Sequence, residues 1–177
     1  MNDVVHEQLE CMQTGIRRIA EQIPAMPLDD VLLMRLMMLA GLGVSDELES
    51  RLRPHRLTES EFRTLLTLFG SPGGNAFPSE LCRFTSQKPT NMTRITNDLV
   101  KHGLVNRRPC EHDRRRVELH ITAAGRNLAR TLLPDLFEPV QVALTGFSEH
   151  EKRQLQTMLR RIIVNLGQLP DACGDTP

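Results

Sequence analysis

The sequence predicts a mainly α-helical protein with one small β-hairpin, organised around the stretch from Ser79 to Thr122. Apolar residues recur at three- and four-residue steps through most of the 177-residue chain, as they do on one face of an amphipathic helix. Alternation is confined to two short segments, Leu104 to Arg108 and Val117 to Ile121, which flank a charged loop and are typical of paired strands. The apolar content of 40% suits a folded globular protein.

Two helices are predicted before the central stretch. The first is amphipathic over Val5 to Ile23, and the prolines of IPAMP end it. The second begins near Leu28, where Asp29 and Asp30 favour the positive end of the helix dipole, and it ends before Pro54. Because this second helix is apolar on more than one face, we expect it to contact both its own domain and a second subunit.

A third helix begins at a strong start signal. Thr58 and Glu61 have the spacing of a capping box, and Leu57 and Phe62 stand where a hydrophobic staple would close over it. The helix is predicted to end at Gly70, and the following SPGGN is interpreted as a plain loop.

A short helix, a turn and a longer helix come next. Pro78 opens the short helix, in which Leu81 and Phe84 are predicted to face inward. Pro89 opens the longer helix, and Gly103 is placed to be its left-handed cap.

The longer helix has two chemically different faces. Met92, Ile95 and Leu99 fall on one side and would seat the helix on a core. The opposite side carries short polar and basic groups that can bond base edges or phosphates. These outward residues are Thr90, Thr93, Arg94, Asn97 and Lys101, with Asn91 at their flank.

Two helical regions follow the second strand. Thr122 starts the first, which Pro134 and Pro139 should bend or break. Ser148 and Glu151 form a second capping box before a long apolar stripe. Since the small central module cannot cover the apolar faces of both ends of the chain, their predicted partner is the same region of a second copy, in a homodimer.

The chain therefore divides into four predicted segments. They are an N-terminal helical extension with a dimerisation helix (1–56), to which the family resemblance given below adds an effector role, a central lobe (57–122), C-terminal dimerisation helices (123–167) and a disordered tail (168–177).

Charge is unevenly distributed along the chain although the formal net charge is zero. Residues 1–50 hold nine acidic residues against three arginines, a balance of −6, whereas residues 83–130 hold eleven basic residues against four acidic ones, a balance of +7. A basic module of this kind indicates a local polyanion site. Arginine supplies most of the positive charge, with 19 Arg to 3 Lys, and its planar guanidinium suits phosphate and groove contacts.

Several classes are disfavoured by what the sequence lacks. No apolar run reaches the roughly 18 residues that a membrane helix needs, and the N-terminus is acidic where a secretory signal would be basic, so we expect a cytoplasmic protein without a membrane. The sequence shows neither a nucleophile elbow, nor a phosphate-binding glycine loop, nor metal-ligand spacing, so neither an enzyme nor a cofactor or metal site is predicted. The cysteines have no CxxC pairing and are expected to be reduced thiols; they are Cys11, Cys82, Cys110 and Cys173.

The central helices and hairpin together are the parts of a winged helix-turn-helix, whose second helix enters the major groove of DNA. The hairpin loop carries Asp113, Arg114, Arg115 and Arg116. An extended loop with these guanidiniums can reach the negative potential of a narrow minor groove.

The order of these motifs resembles the MarR family of bacterial winged-helix repressors. The resemblance is carried by ELxxF in the short helix, TxxTRIxxDL followed by HGLVNRR, and DxR before a strand that ends in ITxxG. It covers roughly Leu28 to Leu166 and is strongest toward the EmrR-type branch, which represses multidrug efflux. It implies an operator-binding homodimer with intertwined terminal helices.

The resemblance also implies roles for single residues. Thr90, Asn91 and Arg94 would approach bases in the major groove, with Thr93 and Asn97 on the same face. Lys88 would meet phosphate, Arg115 would enter the minor groove with Asp113 holding it, and Arg114 and Arg116 would lie nearer the backbone. The chain departs from the common pattern at Pro89, where a polar or basic residue is frequent, and at Ser86, which replaces the usual turn glycine.

A small aromatic or lipophilic effector is the third implied partner, held between the dimer helices and the central lobe. Methionines adapt to varied apolar shapes, and Arg35 would pair with a carboxylate; the competing interpretation is that the methionines are ordinary core. The corresponding residues are Met34, Arg35, Met37, Met38, Phe62 and Leu66.

Three other interpretations remain at this stage. One is a regulator of the same fold that senses oxidation through a cysteine, either Cys11 or one of Cys82 and Cys110, although such sensors usually pair the cysteine with tyrosines and this chain has no Tyr. The second is an enzyme, and the third is a helical adaptor that does not bind DNA.

Overall fold

The computed structural model describes residues 2–110 and 116–168 as eight α-helices, three strands and two short 3-10 helices. The helices are α1 Asn2–Gln22, α2 Leu28–Leu52, α3 Glu59–Gly70, α4 Pro78–Thr85, α5 Pro89–Lys101, α6 Ala123–Asp135, α7 Phe137–Ala143 and α8 Glu149–Leu166. The strands are β1 Asn75–Ala76, β2 Val105–Pro109 and β3 Val117–Ile121. The predicted fold class, mainly α-helical with a small β wing, is confirmed.

The chain forms two units, one that extends to Leu136 and one that begins at Phe137. The first unit contains α1 to α6 and the sheet, so the N-terminal helices and α6 belong with the central lobe. The second unit contains α7 and α8. No helix in the described part of the chain is both long enough and apolar enough to cross a bilayer.

One hydrophobic core lies in the first unit. It collects the inward faces of α3, α4 and α5 together with the sheet, because each of these elements has one apolar face to bury. The last turn of α2 also enters it, since Leu52 is fully buried. Its most completely buried side chains are Leu52, Phe62, Leu65, Leu68, Leu81, Met92, Ile95, Leu99, Val105 and Leu119.

The start of α3 has the predicted capping box. The Thr58 hydroxyl accepts from the backbone N–H of Glu61 at 3.3 Å, and the Thr58 N–H donates to the Glu61 carboxylate at 2.7 Å. Leu57 and Phe62, the predicted staple residues, are both buried in the core. Two donors that the helix would otherwise leave unpaired are thus satisfied, and the chain direction at the lobe entrance is fixed.

The sheet has three strands rather than the two of a simple hairpin, with the order β1-β3-β2. The prediction that SPGGN is a plain loop was therefore wrong, since Pro72–Gly74 form a 3-10 helix and Asn75 begins β1. Asn75 pairs with His120 and Ala76 pairs with Leu119, both antiparallel. Two residues carry too little pattern to mark a strand, and their partner strand lies more than forty residues further along the chain.

The prediction that Phe84 faces inward was also wrong. Phe84 is 62% exposed, whereas Leu81 and Thr85 are buried. The buried edge of α4 follows the four-residue step from Leu81 to Thr85, and the Thr85 hydroxyl donates to the Leu81 carbonyl at 2.6 Å. A helix of eight residues can turn only a narrow stripe to the core, which leaves Phe84 outside it.

The C-terminal helices begin and end at predicted signals. The Thr122 hydroxyl caps α6 by accepting from the Gly125 N–H at 3.0 Å, and α6 ends one residue after Pro134. Ser148 and Glu151 form the second capping box at the start of α8. Pro139, the other predicted breaker, is the third residue of α7. Because it has no backbone N–H, it cannot make the bond to the Asp135 carbonyl that would continue α6 into α7.

Candidate nucleic-acid interface

The turn between α4 and α5 sets the angle at which α5 is presented. Ser86 caps α4 in the left-handed region, with φ 54° and ψ 35°, and its N–H bonds to the Cys82 carbonyl. The Gln87 N–H also donates to the Cys82 carbonyl, at 3.0 Å. A serine therefore adopts the conformation that glycine usually takes at such a cap, so the turn forms despite the missing glycine.

Helix α5 has the two faces that the sequence predicts. Met92, Ile95 and Leu99 are buried in the core, and Gly103 follows with φ 69°, as expected for a left-handed cap. The opposite face is exposed, apart from Asn91, which is half-buried. Its exposed members are Thr90, Thr93, Arg94, Asn97 and Lys101, preceded by exposed Lys88.

A chain of hydrogen bonds runs along this outer face. Arg94 donates through Nε and Nη2 to Asn91 Oδ1, at 3.2 and 3.1 Å, and through Nη1 to Asp98 Oδ2 at 3.1 Å. Asn91 Nδ2 donates in turn to Gln87 Oε1 at 2.5 Å. The predicted base-contacting residues Asn91 and Arg94 are thus held together in one orientation, which lowers the entropy lost on binding.

The wing is formed by β2 and β3 in antiparallel register, from Val105 opposite Ile121 to Pro109 opposite Val117. The Cys110 N–H donates to the Arg116 carbonyl at 2.9 Å and closes the pairing toward the tip. The Arg116 guanidinium lies over the Phe77 ring, 3.8 Å from its centroid. This cation–π contact joins the tip end of the described wing to the residue before α4.

The tip of the wing lies outside the described residues. The predictions for Asp113, Arg114 and Arg115 fall there, so their roles stay predictions. Arg116 is the one residue of the predicted arginine group that belongs to the described part of the chain, where it is exposed.

A second contact joins the wing to α5. Nη2 of Arg107, in β2, donates to Asn97 Oδ1 at 2.6 Å and to Thr96 Oγ1 at 3.1 Å. Asn97, which was predicted to face DNA, therefore has a partner within the protein.

Four residues of this surface were not singled out from the sequence as site residues, namely Phe77, Gln87, Asp98 and Arg107. For Asp98 a signal existed, because it stands four residues after Arg94 in the same helix, a spacing that favours ion pairs. Phe77 and Arg107 contact residues in other elements, so no local periodicity could find them.

The six residues predicted to hold an effector are not brought together. Met34, Arg35 and Met38 line an open groove of about 520 Å³ between α1 and α2, and Met37 is half-buried. By contrast, Phe62 is 2% exposed inside the core, and Leu66 packs against that core. The remaining lining of the groove comes from α1 and the start of α2, with Cys11, Met12, Gly15, Ile16, Ile19, Asp30 and Val31.

Comparison with known proteins agrees with this geometry. The MarR family profile matches residues 56–116, which hold the central helices and most of the wing. The transcriptional repressor MprA of Escherichia coli (strain K12) is 30% identical over 143 residues, covering 81% of this chain and 81% of that protein. The HTH-type transcriptional regulator PrsX of Escherichia coli is 28% identical over 153 residues, covering 86% of this chain and 91% of that protein.

Solved structures show the same fold. Sco3205, a MarR family transcriptional regulator from Streptomyces coelicolor solved in complex with DNA, matches with a TM-score of 0.73 at 22% identity, covering 82% of this chain and 91% of that chain. AbsC, another MarR family regulator from Streptomyces coelicolor, matches with a TM-score of 0.71 at 23% identity, covering 77% and 93%. MprA and PrsX are transcriptional regulators, in agreement with the prediction that the chain is not an enzyme. By its identity to MprA over four-fifths of both chains, the chain belongs to the MarR family of winged-helix transcriptional regulators.

Proposed function

We propose that this protein is a cytoplasmic transcriptional repressor that binds a pseudo-palindromic DNA operator as a homodimer. Helix α5 enters the major groove with Thr90, Asn91 and Arg94 toward the bases. The wing follows the minor groove with Arg115, which Asp113 holds by a charge-assisted bond.

The observation that carries this proposal is the outer face of α5. It is polar and exposed, its opposite face is buried in the core, and Arg94 is held by Asn91 and Asp98 in one orientation. A rigid helix that presents an oriented arginine suits the bidentate contact with guanine in a major groove. The similarity to MprA, a transcriptional repressor, and to Sco3205, which was solved in complex with DNA, supports the same role.

A binding titration with fragments of the protein's own promoter region tests the proposal. Arg94→Ala and Arg115→Ala should each weaken operator binding by about 1 to 3 kcal/mol, since each removes one groove contact. Affinity would be measured at several fixed salt concentrations, because the part of the affinity that comes from phosphate contacts falls steeply as salt rises.

Thr67→Ala is a suitable control, because Thr67 lies in α3 and its hydroxyl donates to the Arg63 carbonyl of the same helix. Unchanged affinity in Arg94→Ala would remove α5 from the proposed interface. Wild-type protein that binds no promoter fragment would favour the helical adaptor instead.

Repression is proposed to respond to a small aromatic or lipophilic effector, in the groove between α1 and α2. The groove is lined almost wholly by apolar side chains, including Met34 and Met38. Arg35 is also part of the lining, and we expect it to pair with a carboxylate of the effector. Because α2 runs from this groove into the core of the DNA-binding lobe at Leu52, a ligand beside α2 can change how the two lobes of a dimer are spaced. A dimer must hold its two α5 helices about 34 Å apart to reach both half-sites.

Isothermal titration with salicylate-like acids tests the effector site. Wild-type protein should bind and lose operator affinity, whereas Arg35→Ala should bind the acid more weakly because the carboxylate loses its partner. A matched control is Arg18→Ala, an exposed arginine of α1 that is not part of the groove lining. Absence of binding by wild-type protein and Arg35→Ala alike would count against the site.

The alternative, a regulator that senses oxidation, is favoured by one observation. Cys11 is exposed and lines the same groove, whereas Cys82 and Cys110 are partly buried. Loss of DNA binding after mild peroxide treatment, abolished by Cys11→Ser, would support this alternative over the effector.

A further inference from the structure

We infer that Arg107 is a positioning residue that locks the wing to the recognition helix α5, and that Asn97 serves this lock rather than the DNA. The inference rests on the proposed function, because it concerns how two DNA-contacting elements are held in register.

The contact joins α5 to β2, whose backbone hydrogen bonds pair it with β3 and not with α5. Arg107 is the middle residue of β2, opposite Leu119 of β3, while Thr96 and Asn97 lie in the third turn of α5. A single guanidinium nitrogen, Nη2, reaches both helix residues, at 2.6 Å to Asn97 Oδ1 and 3.1 Å to Thr96 Oγ1. The chain turns between α5 and β2 at Gly103, which has φ 69°. The hydrogen bonds of Arg107 with Thr96 and Asn97 connect the two elements across this turn.

The helix side of the contact is rigid. Thr96 is 3% exposed, and its hydroxyl donates to the Thr93 carbonyl at 3.1 Å, which leaves its lone pairs directed at the guanidinium. Asn97 Oδ1 takes the shorter bond from a charged donor, which is the stronger kind of hydrogen bond. The bonds of Asn91 and Arg94 stay along α5 and its start, whereas this bond ties Asn97 to a different element, the wing.

This lock matters because the two DNA contacts must be made together. Once α5 lies in the major groove, the wing meets the minor groove as a second, intramolecular contact, whose strength depends on how well the wing is already oriented. A wing that swings relative to α5 must lose that freedom on binding. Removing Arg107 is therefore expected to weaken operator binding although Arg107 itself touches no DNA.

The test is a double-mutant cycle on the full-length protein with operator DNA, over a range of salt concentrations. Arg107→Ala should weaken binding by roughly 5- to 30-fold, with an unchanged slope of log affinity against log salt. Asn97→Ala should weaken it similarly, and the double variant should be no weaker than Arg107→Ala alone, because both changes break the same contact. Arg17→Ala, which removes an exposed positive charge from α1, should leave affinity unchanged.

Three results would overturn the inference. A salt slope that falls by about one in Arg107→Ala would mean that the guanidinium neutralises a phosphate. Losses that add in the double variant would mean that Asn97 contacts DNA on its own, and unchanged affinity in Arg107→Ala would mean that the lock has no role in recognition.

Amide hydrogen exchange in free protein gives a second measurement, which does not depend on DNA. Asn97→Ala, a change on an exposed helix face, should speed exchange at the amides of residues 105–108 while α3 stays as protected as in wild type. Unchanged exchange in β2 would contradict the lock. If wild-type protein bound no operator, the proposed function would be wrong. The exchange measurement would still decide whether Arg107 holds the wing against α5, because it needs no DNA.

Discussion

Gly125 shows how a single residue can set the packing of a lobe. It is the glycine of the ITxxG sequence, it is buried in the first turn of α6, and its position faces the start of β2. A Cβ added there would lie 2.3 Å from the Leu104 carbonyl oxygen and 2.9 Å from Ile121 Cγ1. The need for glycine is therefore one of space rather than of backbone conformation, since α6 can approach the sheet only without a side chain at this position.

Gly125→Ala is expected to lower the free energy of unfolding by about 1 to 3 kcal/mol, the usual cost of forcing an extra group into a packed site. The measurement is urea denaturation followed by circular dichroism. Gly70→Ala is the matched control, because nothing lies within 4 Å of a Cβ at that position and the change should stay within about 0.5 kcal/mol. Equal stability of the two variants would show that α6 can shift without cost.

Ser86 illustrates a residue that meets a conformational demand without being glycine. Its left-handed backbone is tolerated because the cap bonds from Ser86 and Gln87 both reach the Cys82 carbonyl. The departure from the usual turn glycine, noted from the sequence, thus leaves the geometry of the helix-turn-helix intact.

At the scale of single elements, the stability of α8 depends largely on the capping box at its N-terminus, because the unit that contains α7 and α8 buries little apolar surface. None of its residues is buried in the single chain, so its capping box and helix propensity must support it there. Hydrogen bonds from the Ser148 side chain and backbone hold the pKa of the exposed Glu151 carboxyl below its ordinary value.

Ser148→Ala should raise the pKa of Glu151 toward its ordinary value, since the first of those two hydrogen bonds is lost. A carboxyl whose pKa is lower in the folded state stabilises the fold above its unfolded pKa, and that stability is lost as pH falls through the folded pKa. The variant should therefore lose less stability than wild type at the acid end. Carboxyl chemical shifts in an NMR titration measure the change, with Thr157→Ala in the same helix as control; an unmoved Glu151 titration would contradict it.

The recognition surface is also a property of elements rather than of isolated residues. Arg94 is oriented within α5 by Asn91 and Asp98, whereas Arg107 and Phe77 connect the wing to α5 and to the start of α4. Contacts inside one helix follow its three- and four-residue spacing, and contacts between elements do not.

At the scale of the whole molecule, both units leave large apolar side chains uncovered. In the first unit Leu33, Leu42 and Val44 are more than half exposed, and in the second Val142 and Ile163 are 66% and 67% exposed. Large exposed apolar side chains on both units are consistent with an interaction site, and the proposed homodimer would cover them with a second copy of the chain.

If the proposed dimer forms through the apolar stripe of α8, Ile163→Glu should shift it to monomer at micromolar concentration, because a charge in an apolar interface must lose its hydration. Sedimentation velocity would measure the change, and operator affinity should fall with it since both half-sites must be reached together. Gln154→Glu, on the opposite side of α8, adds the same charge outside the apolar stripe and should leave the dimer intact. A dimeric Ile163→Glu variant would exclude this part of α8 from the interface.

The sequence by itself determined the helices, the two longer strands and the polar face of α5, because periodicity, capping residues, prolines and glycines act over a few neighbours. It also determined the basic module and the family, through motifs that stand in a fixed order. Only the tertiary structure decided that Asn75 and Ala76 form a third strand and that Phe84 lies outside the core. It also decided that Phe62 is buried away from the groove that Met34 and Arg35 line. Finally, it decided that the Arg107 guanidinium donates a hydrogen bond to the Asn97 side chain. Each of these depends on residues distant in sequence that meet in space, and no local pattern of hydrophobicity or charge encodes such meetings.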